Sequence, residues 1–242
     1  MASADANVKV IERTLTMLSC FTKERLSLSL MDIAREIELP PSTASRILAT
    51  LETHGFLYRD ENTQRYYLGS SIARLGNLCY THIDFRRISI PYMIELREIF
   101  NESVGLYIAS KGYRICIERF ESTHPLKRIL SIGDRLPLTR GASGRLLLAY
   151  QAQAVIDELL RQDPYTTAAR LDEIRELGYS MSRSEREEGV VSVAAPIFDS
   201  RHKAVAALNI SGPSVRIDDR RMKEMALKVQ EYALRISQEM GY

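Results

Sequence analysis

The chain has 242 residues, 45% of them apolar, with 33 basic and 31 acidic side chains and a formal charge of +2. That length holds one large domain or two modest ones with packed cores, and the near-neutral balance excludes a uniformly basic nucleic-acid coat while leaving room for a local basic surface. No apolar run nears the ~20 residues of a membrane-spanning helix, MASADANVKV lacks the features of a secretory signal, and three distant cysteines (Cys20, Cys79, Cys116) with four scattered histidines argue against a disulfide framework or a metal site and for a reducing cytoplasm.

Val8, Ile11, Leu15 and Leu18 recur at three- and four-residue steps and predict a helix with one buried stripe. Ser29, with Asp32 three residues on, opens a second helix over 30–38 that buries Ile33, Ala34 and Ile37. Leu39-Pro40-Pro41 stops it, because proline restricts the residue before it and donates no backbone hydrogen bond. Proline is tolerated at the first helical position, so a third helix begins near Pro41, buries Ala44, Ile47, Leu48 and Leu51, and ends at Gly55. Two aromatic-rich runs, Phe56 to Arg59 and Arg65 to Leu68, flank a polar DENTQ and predict a hairpin. Helix, helix, tight turn, helix and hairpin make a winged helix-turn-helix over residues 1–69, an arrangement that sends a helix into the DNA major groove.

A linker helix is expected over 70–89, with Ile72, Leu75, Cys79 and Ile83 on one side, and Pro91 then admits a fresh helix through Phe100. From Val104 the pattern changes. Strands are expected at 104–109, 113–120, 128–132, 189–198 and 204–211, and helices at 141–151, 154–161, 171–177 and 218–240. Residues 90–242 therefore read as an α+β domain distinct from the helical start.

With Ala44, Ile47, Leu48 and Leu51 inward, the third helix presents Ser42, Ser45, Arg46 and Ala49 outward and Thr43 on its flank. Small residues let a helix lie close to a groove floor, hydroxyls bind phosphate or base edges, and arginine grips guanine in a two-bond fork. Arg59 and Arg65 on the hairpin complete the candidate DNA-binding set, Arg65 as a phosphate contact. Ser and Thr also serve simply as helix caps, and an exposed Arg is often only solvated; the preceding helix, the turn and the hairpin favour the DNA reading. Through Tyr80 nine basic residues balance nine acidic ones, so one copy should hold DNA weakly and two copies on a palindromic operator are expected.

Three stretches in order, IELPPSTASRILATLETHGFL, GDRLPLTRGASGRLLLAY and GVVSVAAPIFDSRHKAVAALNISGP, resemble IclR-type transcriptional regulators over nearly the whole chain. The resemblance implies a winged helix, a linker helix and a C-terminal domain of GAF-like shape that binds a small metabolite. It also implies a homodimer or homotetramer acting as repressor or activator, with no cofactor. Pro41 stands where many members carry Lys, Gly141 where Thr or Ser is common, and Arg145 where Lys is common.

In LPLTRGASGRLLLAY a strand ends at Leu138 and a helix starts near Ala142. Its unpaired N–H groups, the Ser143 hydroxyl, Arg140 and Arg145 suit a carboxylate, so a small organic or aromatic acid is the expected effector. Ser143 as a mere cap, with solvated arginines, is the competing reading. Ser192, Asn209 and Ser211 are polar residues in apolar strands, and alternation sets Asn209 and Ser211 on one face. They need partners, from a ligand or from the protein itself. By the resemblance, Leu136, Ala142 and Val190 supply apolar wall. GASGR resembles a nucleophile elbow, but Arg145 stands where the second glycine belongs. A hydrolase using Ser143 is thus the alternative function.

Overall fold

The computed structural model describes residues 9–242 other than 23, 82–83, 128–129 and 164, with the side chains of 77–84 also outside the description. The chain divides into two compact units between residues 82 and 83.

The first unit holds α1 (Lys9–Ser19), α2 (Leu30–Glu36), α3 (Pro41–Thr53), a hairpin of β1 (Leu57–Arg59) and β2 (Tyr66–Leu68), and α4 (Ser70–Thr81). Ser29 and Asp32 form the expected capping box: the Asp32 N–H donates to Ser29 Oγ at 3.1 Å and the Ser29 N–H to Asp32 Oδ2 at 3.2 Å. Met17, Leu28, Ile33, Ala34, Ala44, Leu48, Leu51, Leu57 and Tyr66 form the core, with Ile47 packed at its margin. One expectation fails. Val8 is outside the described residues, and Ile11 and Leu15 are 57% and 59% exposed. Of the expected stripe only Leu18 packs against the core, beside Met17 and with Cys20 just past the helix, so only the last turn joins the core.

The hairpin is tied down along one edge. Leu28 and Tyr66 exchange backbone hydrogen bonds of 3.0 and 2.8 Å. Arg65 donates from Nε to Ser27 Oγ at 2.9 Å and from Nη2 to the Ser27 carbonyl at 2.8 Å. Asp60 holds the tip by accepting the Asn62 and Thr63 N–H groups.

The second unit begins with α5 (Asp84–Phe100). This helix passes through Pro91, where a new helix was expected. Pro91 is exposed, so the lost backbone bond falls on the outer side, where water can replace it. The two helices expected over 70–100 are therefore bounded differently: α4 ends at Thr81 and α5 starts at Asp84, where the sequence had the first run on to Ser89, and the expected stripe members Cys79 and Ile83 lie outside the described side chains. The sheet contains β3 (Ser103–Ser110), β4 (Tyr113–Phe120), β5 (Arg135–Pro137), β6 (Ser180–Arg183), β7 (Val190–Phe198) and β8 (Ala204–Pro213). Their order is β5-β4-β3-β8-β7-β6, with every neighbour antiparallel. The strand expected over 128–132 is corrected: 128–129 lie outside the description, and 130–132 are not strand. A turn closed by the Ser131 N–H on Asp134 Oδ2 (2.9 Å) occupies that backbone, and β5 pairs with β4 in its place.

Four helices complete the unit: α6 (Ala142–Ala149), α7 (Gln153–Gln162), α8 (Ala168–Leu177) and α9 (Asp219–Glu239). α5 and α9 pack on one sheet face and α6 on the other, with α8 against α6. Between α5 and α9, Tyr232 donates to Glu95 and Tyr92 to Glu239, and the two rings meet edge to face. Burial first, then the Glu95 carboxylate, pushes the Tyr232 phenol up to about 12.

Two outcomes are expected. Arg65→Ala should cost the first unit about 1–2 kcal/mol, seen in urea melts, with the salt dependence of DNA binding unchanged. A folded-state pKa above the free phenol's means that stability from Tyr232 is complete below pH ~10 and is lost as pH rises through about 12. Tyr232→Phe should therefore flatten the alkaline limb of a pH–stability curve.

Candidate DNA-reading helix and effector site

α3 starts with Pro41 at its first position and has no side-chain cap. Its serines near the start thus do not cap it. Ala44, Leu48 and Leu51 are buried, which turns Ser42, Thr43, Arg46 and Ala49 to solvent and leaves Ser45 half-buried. Arg46 makes no ion pair with any described residue, so its guanidinium is available to a ligand. Arg59 is exposed on β1 and lies over the Tyr66 ring, 5.5 Å from its centroid. Arg65 differs from expectation: its guanidinium is committed to Ser27, with Asp32 at 4.0 Å. A phosphate would have to compete for it. The hairpin also carries an exposed stack, Tyr58 on Tyr67 with centroids 5.0 Å apart, which sequence reasoning used only as a strand signal.

In the second unit the register assembles a polar patch on a buried sheet face. Ser182, Ser192, Ser211 and Ser103 are successive cross-strand partners on β6, β7, β8 and β3. The adjacent row is Ser180, Ala194, Asn209 and Gly105. All six polar members are buried. Alternation sends Val191, Val193, Ala195, Leu208 and Ile210 of the same strands to the opposite face. Val190 shares the polar face by parity with Ser192, and Leu136, partner of Arg114 on β4, lies on it as well.

Most of these groups are satisfied internally. Asn209 Nδ2 donates to Ser192 Oγ at 2.8 Å and to the Val193 carbonyl at 2.7 Å. Ser103 Oγ accepts the Ser122 N–H at 3.1 Å. Ser182 Oγ accepts the Ala142 N–H at 3.2 Å, which docks the start of α6 onto the sheet. Two hydroxyls, Ser180 Oγ and Ser211 Oγ, are buried with no hydrogen-bond partner. An unmet buried hydroxyl costs about 1–3 kcal/mol.

α6 is buried along its whole length. Gly141 precedes it at φ 75°, in the left-handed region, and a Cβ on Gly144 would lie 2.5 Å from Arg114 Nη1 and 2.8 Å from the Leu138 carbonyl. Only glycine fits at 144, because the backbone carbonyls of Leu138 and Pro137 close on it, and the buried Arg114 guanidinium, which donates to the Arg140 carbonyl at 2.7 Å, fills the remaining space. Ser143 is 3% exposed and forms no hydrogen bond with a histidine or carboxylate among the described residues. Two expectations about charge change. Arg140 is engaged by Asp163 at 3.1 Å and stacks on Tyr165; that ion pair, with the Thr139 hydroxyl, holds the Asp163 carboxyl below its ordinary range. Arg145, 4% exposed, is paired with Glu185 and donates to the Met181 carbonyl at 2.7 Å.

Sequence reasoning missed β6 and Glu185. β6 reads SMSR, with no β-branched or aromatic residue to mark a strand. The alternation of Ser180 and Ser182 around Met181 was its one signal. Among the described residues no group of His, Cys, Asp and Glu gathers as a metal would require, and no helix is long and apolar enough to cross a membrane.

Comparisons with known proteins agree with this geometry. Residues 10–61 match the IclR helix-turn-helix domain, and residues 78–238 match the bacterial transcriptional regulator IclR C-terminal domain. The HTH-type transcriptional regulator XynR of Escherichia coli is 29% identical over 247 residues, covering 97% of this chain and 98% of that protein. The HTH-type transcriptional repressor AllR of Escherichia coli is 27% identical over 250 residues, covering 98% and 92%. A solved IclR homologue from Microbacterium hydrocarbonoxydans, complexed with 4-hydroxybenzoate, shares the fold at a TM-score of 0.86 with 22% identity, covering 96% and 98%. The Thermotoga maritima IclR structure does so at 0.77 with 24% identity, covering 98% and 100%. These relatives are regulators, and the hydrolase alternative built on Ser143 has no support. The chain belongs to the IclR family of DNA-binding transcriptional regulators, with an N-terminal helix-turn-helix domain and a C-terminal effector domain.

Proposed function

We propose that this regulator reads a palindromic double-stranded operator as a homodimer or homotetramer in the cytoplasm, and that a small organic or aromatic acid modulates the binding. Residues 1–69 carry the reading surface, the helices around 70–89 link it, and 90–242 hold the effector. Ser42, Thr43, Ser45 and Arg46 face the groove, and Arg59 contacts phosphate from the hairpin. Support for the oligomer comes from α1, where Val10, Ile11 and Leu15 are each more than half exposed and form an apolar stripe that a second copy would cover.

The observation that carries the effector assignment is the buried polar patch with the unmet Ser211 hydroxyl. Four of the six polar side chains on this face find partners within the protein, and the hydroxyls of Ser180 and Ser211, left without one, are the groups a polar ligand would satisfy. Ser192, Asn209 and Ser211 offer hydroxyl and amide groups, while Leu136, Ala142, Ser143 and Val190 line the surroundings. A solved relative complexed with 4-hydroxybenzoate makes an aromatic acid a reasonable first ligand. Effector and operator are coupled if the effector favours one spacing of the two reading helices over another. The half-sites of a dimer lie ~34 Å apart, so a change in spacing changes affinity.

Two measurements test this. Arg46→Ala should weaken operator binding by ~1–3 kcal/mol in gel shifts, with the second unit's stability unchanged; unaltered affinity removes Arg46 from the reading set. A thermal-shift screen of aromatic and aliphatic acids should find a stabilising ligand. Ser211→Ala should raise the melting midpoint of the ligand-free protein while weakening that ligand. A variant that binds as tightly as the wild type would argue against the patch as the effector site.

A further inference from the structure

The start of α6 already holds an anion, and the chain supplies it. Glu185 follows β6 directly, in the connection to β7. Its Oε2 accepts the Gly141 N–H at 3.2 Å and pairs with Arg145 Nη1. The Glu185 side chain is 17% exposed and that of Arg145 only 4%. A carboxylate, the first N–H groups of a helix and a buried guanidinium are the elements of an anion site. Arg145 has donor capacity left, since its Nε is buried without a hydrogen bond. The patch beside it retains the unmet hydroxyls of Ser180 and Ser211. The connection that carries Glu185 is closed by local bonds: Ser184 has φ 54°, its N–H donates to the Val190 carbonyl at 2.8 Å, its hydroxyl accepts the Gly189 N–H at 3.1 Å, the Val190 N–H donates to the Glu187 carbonyl at 3.3 Å, and the Ser214 N–H donates to the Gly189 carbonyl at 2.7 Å.

We propose that the start of α6 is an exchangeable carboxylate site whose resident occupant is Glu185, and that an acidic ligand takes the site by displacing Glu185 and loosening the β6–β7 connection. This rests on the effector reading above and adds a competitor to it. Tethered by a short segment, Glu185 acts at an effective concentration on the order of millimolar. A simple acid displaces it only when supplied well above that concentration, and a dilute ligand succeeds only by adding contacts to the neighbouring hydroxyls. Glu185 thus sets a threshold that discriminates against small acids.

The test is chemical rescue in the full-length chain. Glu185→Ala leaves Arg145 buried without its partner and should lower the melting midpoint. Sodium acetate should restore several degrees of that loss beyond an equal concentration of sodium chloride, and should need a far higher concentration to act on the wild type. Amide hydrogen exchange at Ser184 and Gly189 should be faster in the variant with or without acetate, because acetate fills the site without re-tethering the connection. If Glu185→Ala does not fold, Glu185→Ser carries the same titration, since its short side chain also vacates the site and leaves the Arg145 charge unbalanced. Equal responses to acetate and chloride overturn the proposal, as does unchanged exchange in the connection. A wild-type chain that answers an aromatic acid while neither variant answers acetate overturns this inference and leaves the effector reading standing. Acetate rescue with a wild type indifferent to every acid overturns the effector reading and the displacement with it, and leaves Glu185 as a fixed occupant of the site.

Discussion

The two-residue period of β7 and β8 governs the second unit. Val191, Val193, Ala195 and Ile197 on one strand and Leu208 and Ile210 on the other seal the face under α5 and α9. The same alternation leaves Ser192, Ala194, Asn209 and Ser211 facing α6. A slip of one residue in either strand would exchange the two faces, burying the polar set under α9 and exposing valine and isoleucine to the helix start. Fold and polar patch are therefore specified together, and neither can drift without the other.

The helix above that face is positioned by contacts that tolerate little change. Gly144 lies against Arg114 and the end of β5, and the Ala142 N–H meets Ser182. The acidic partner of Arg145 sits at the same helix start. Buried charge is costly unless matched, and here the match comes from a connecting segment rather than from a packed element. Two unmet hydroxyls beside a charge pair are a local conflict with packing, and such conflicts are expected where a protein gives up stability for binding, which is why the proposed effector site is placed here.

Much of this was legible from residues alone. Proline, glycine and capping signals located α2 and α3, and aromatic runs located the hairpin, because those signals act through local backbone sterics. The polar residues in β7 and β8 stood out against apolar neighbours for the same local reason. What escaped depended on distant partners. The α1 stripe was legible, but the side of it that joins the core was not. Helix α5 crosses Pro91 because that position faces outward, a tertiary fact. Arg65 and Arg145 read as available cations; Ser27 lies 38 residues from the first and Glu185 40 from the second, beyond any periodicity argument.

The hairpin in the first unit has a consequence for regulation. Leu28 pairs with Tyr66, and Arg65 grips Ser27, so the wing is continuous with the segment leading into α2. α3 shares its core with both. The reading head is a stamp cast in one piece. Such an object offers little purchase for remoulding, so the coupling proposed above would act by deciding where, and at what angle, it is pressed against the duplex.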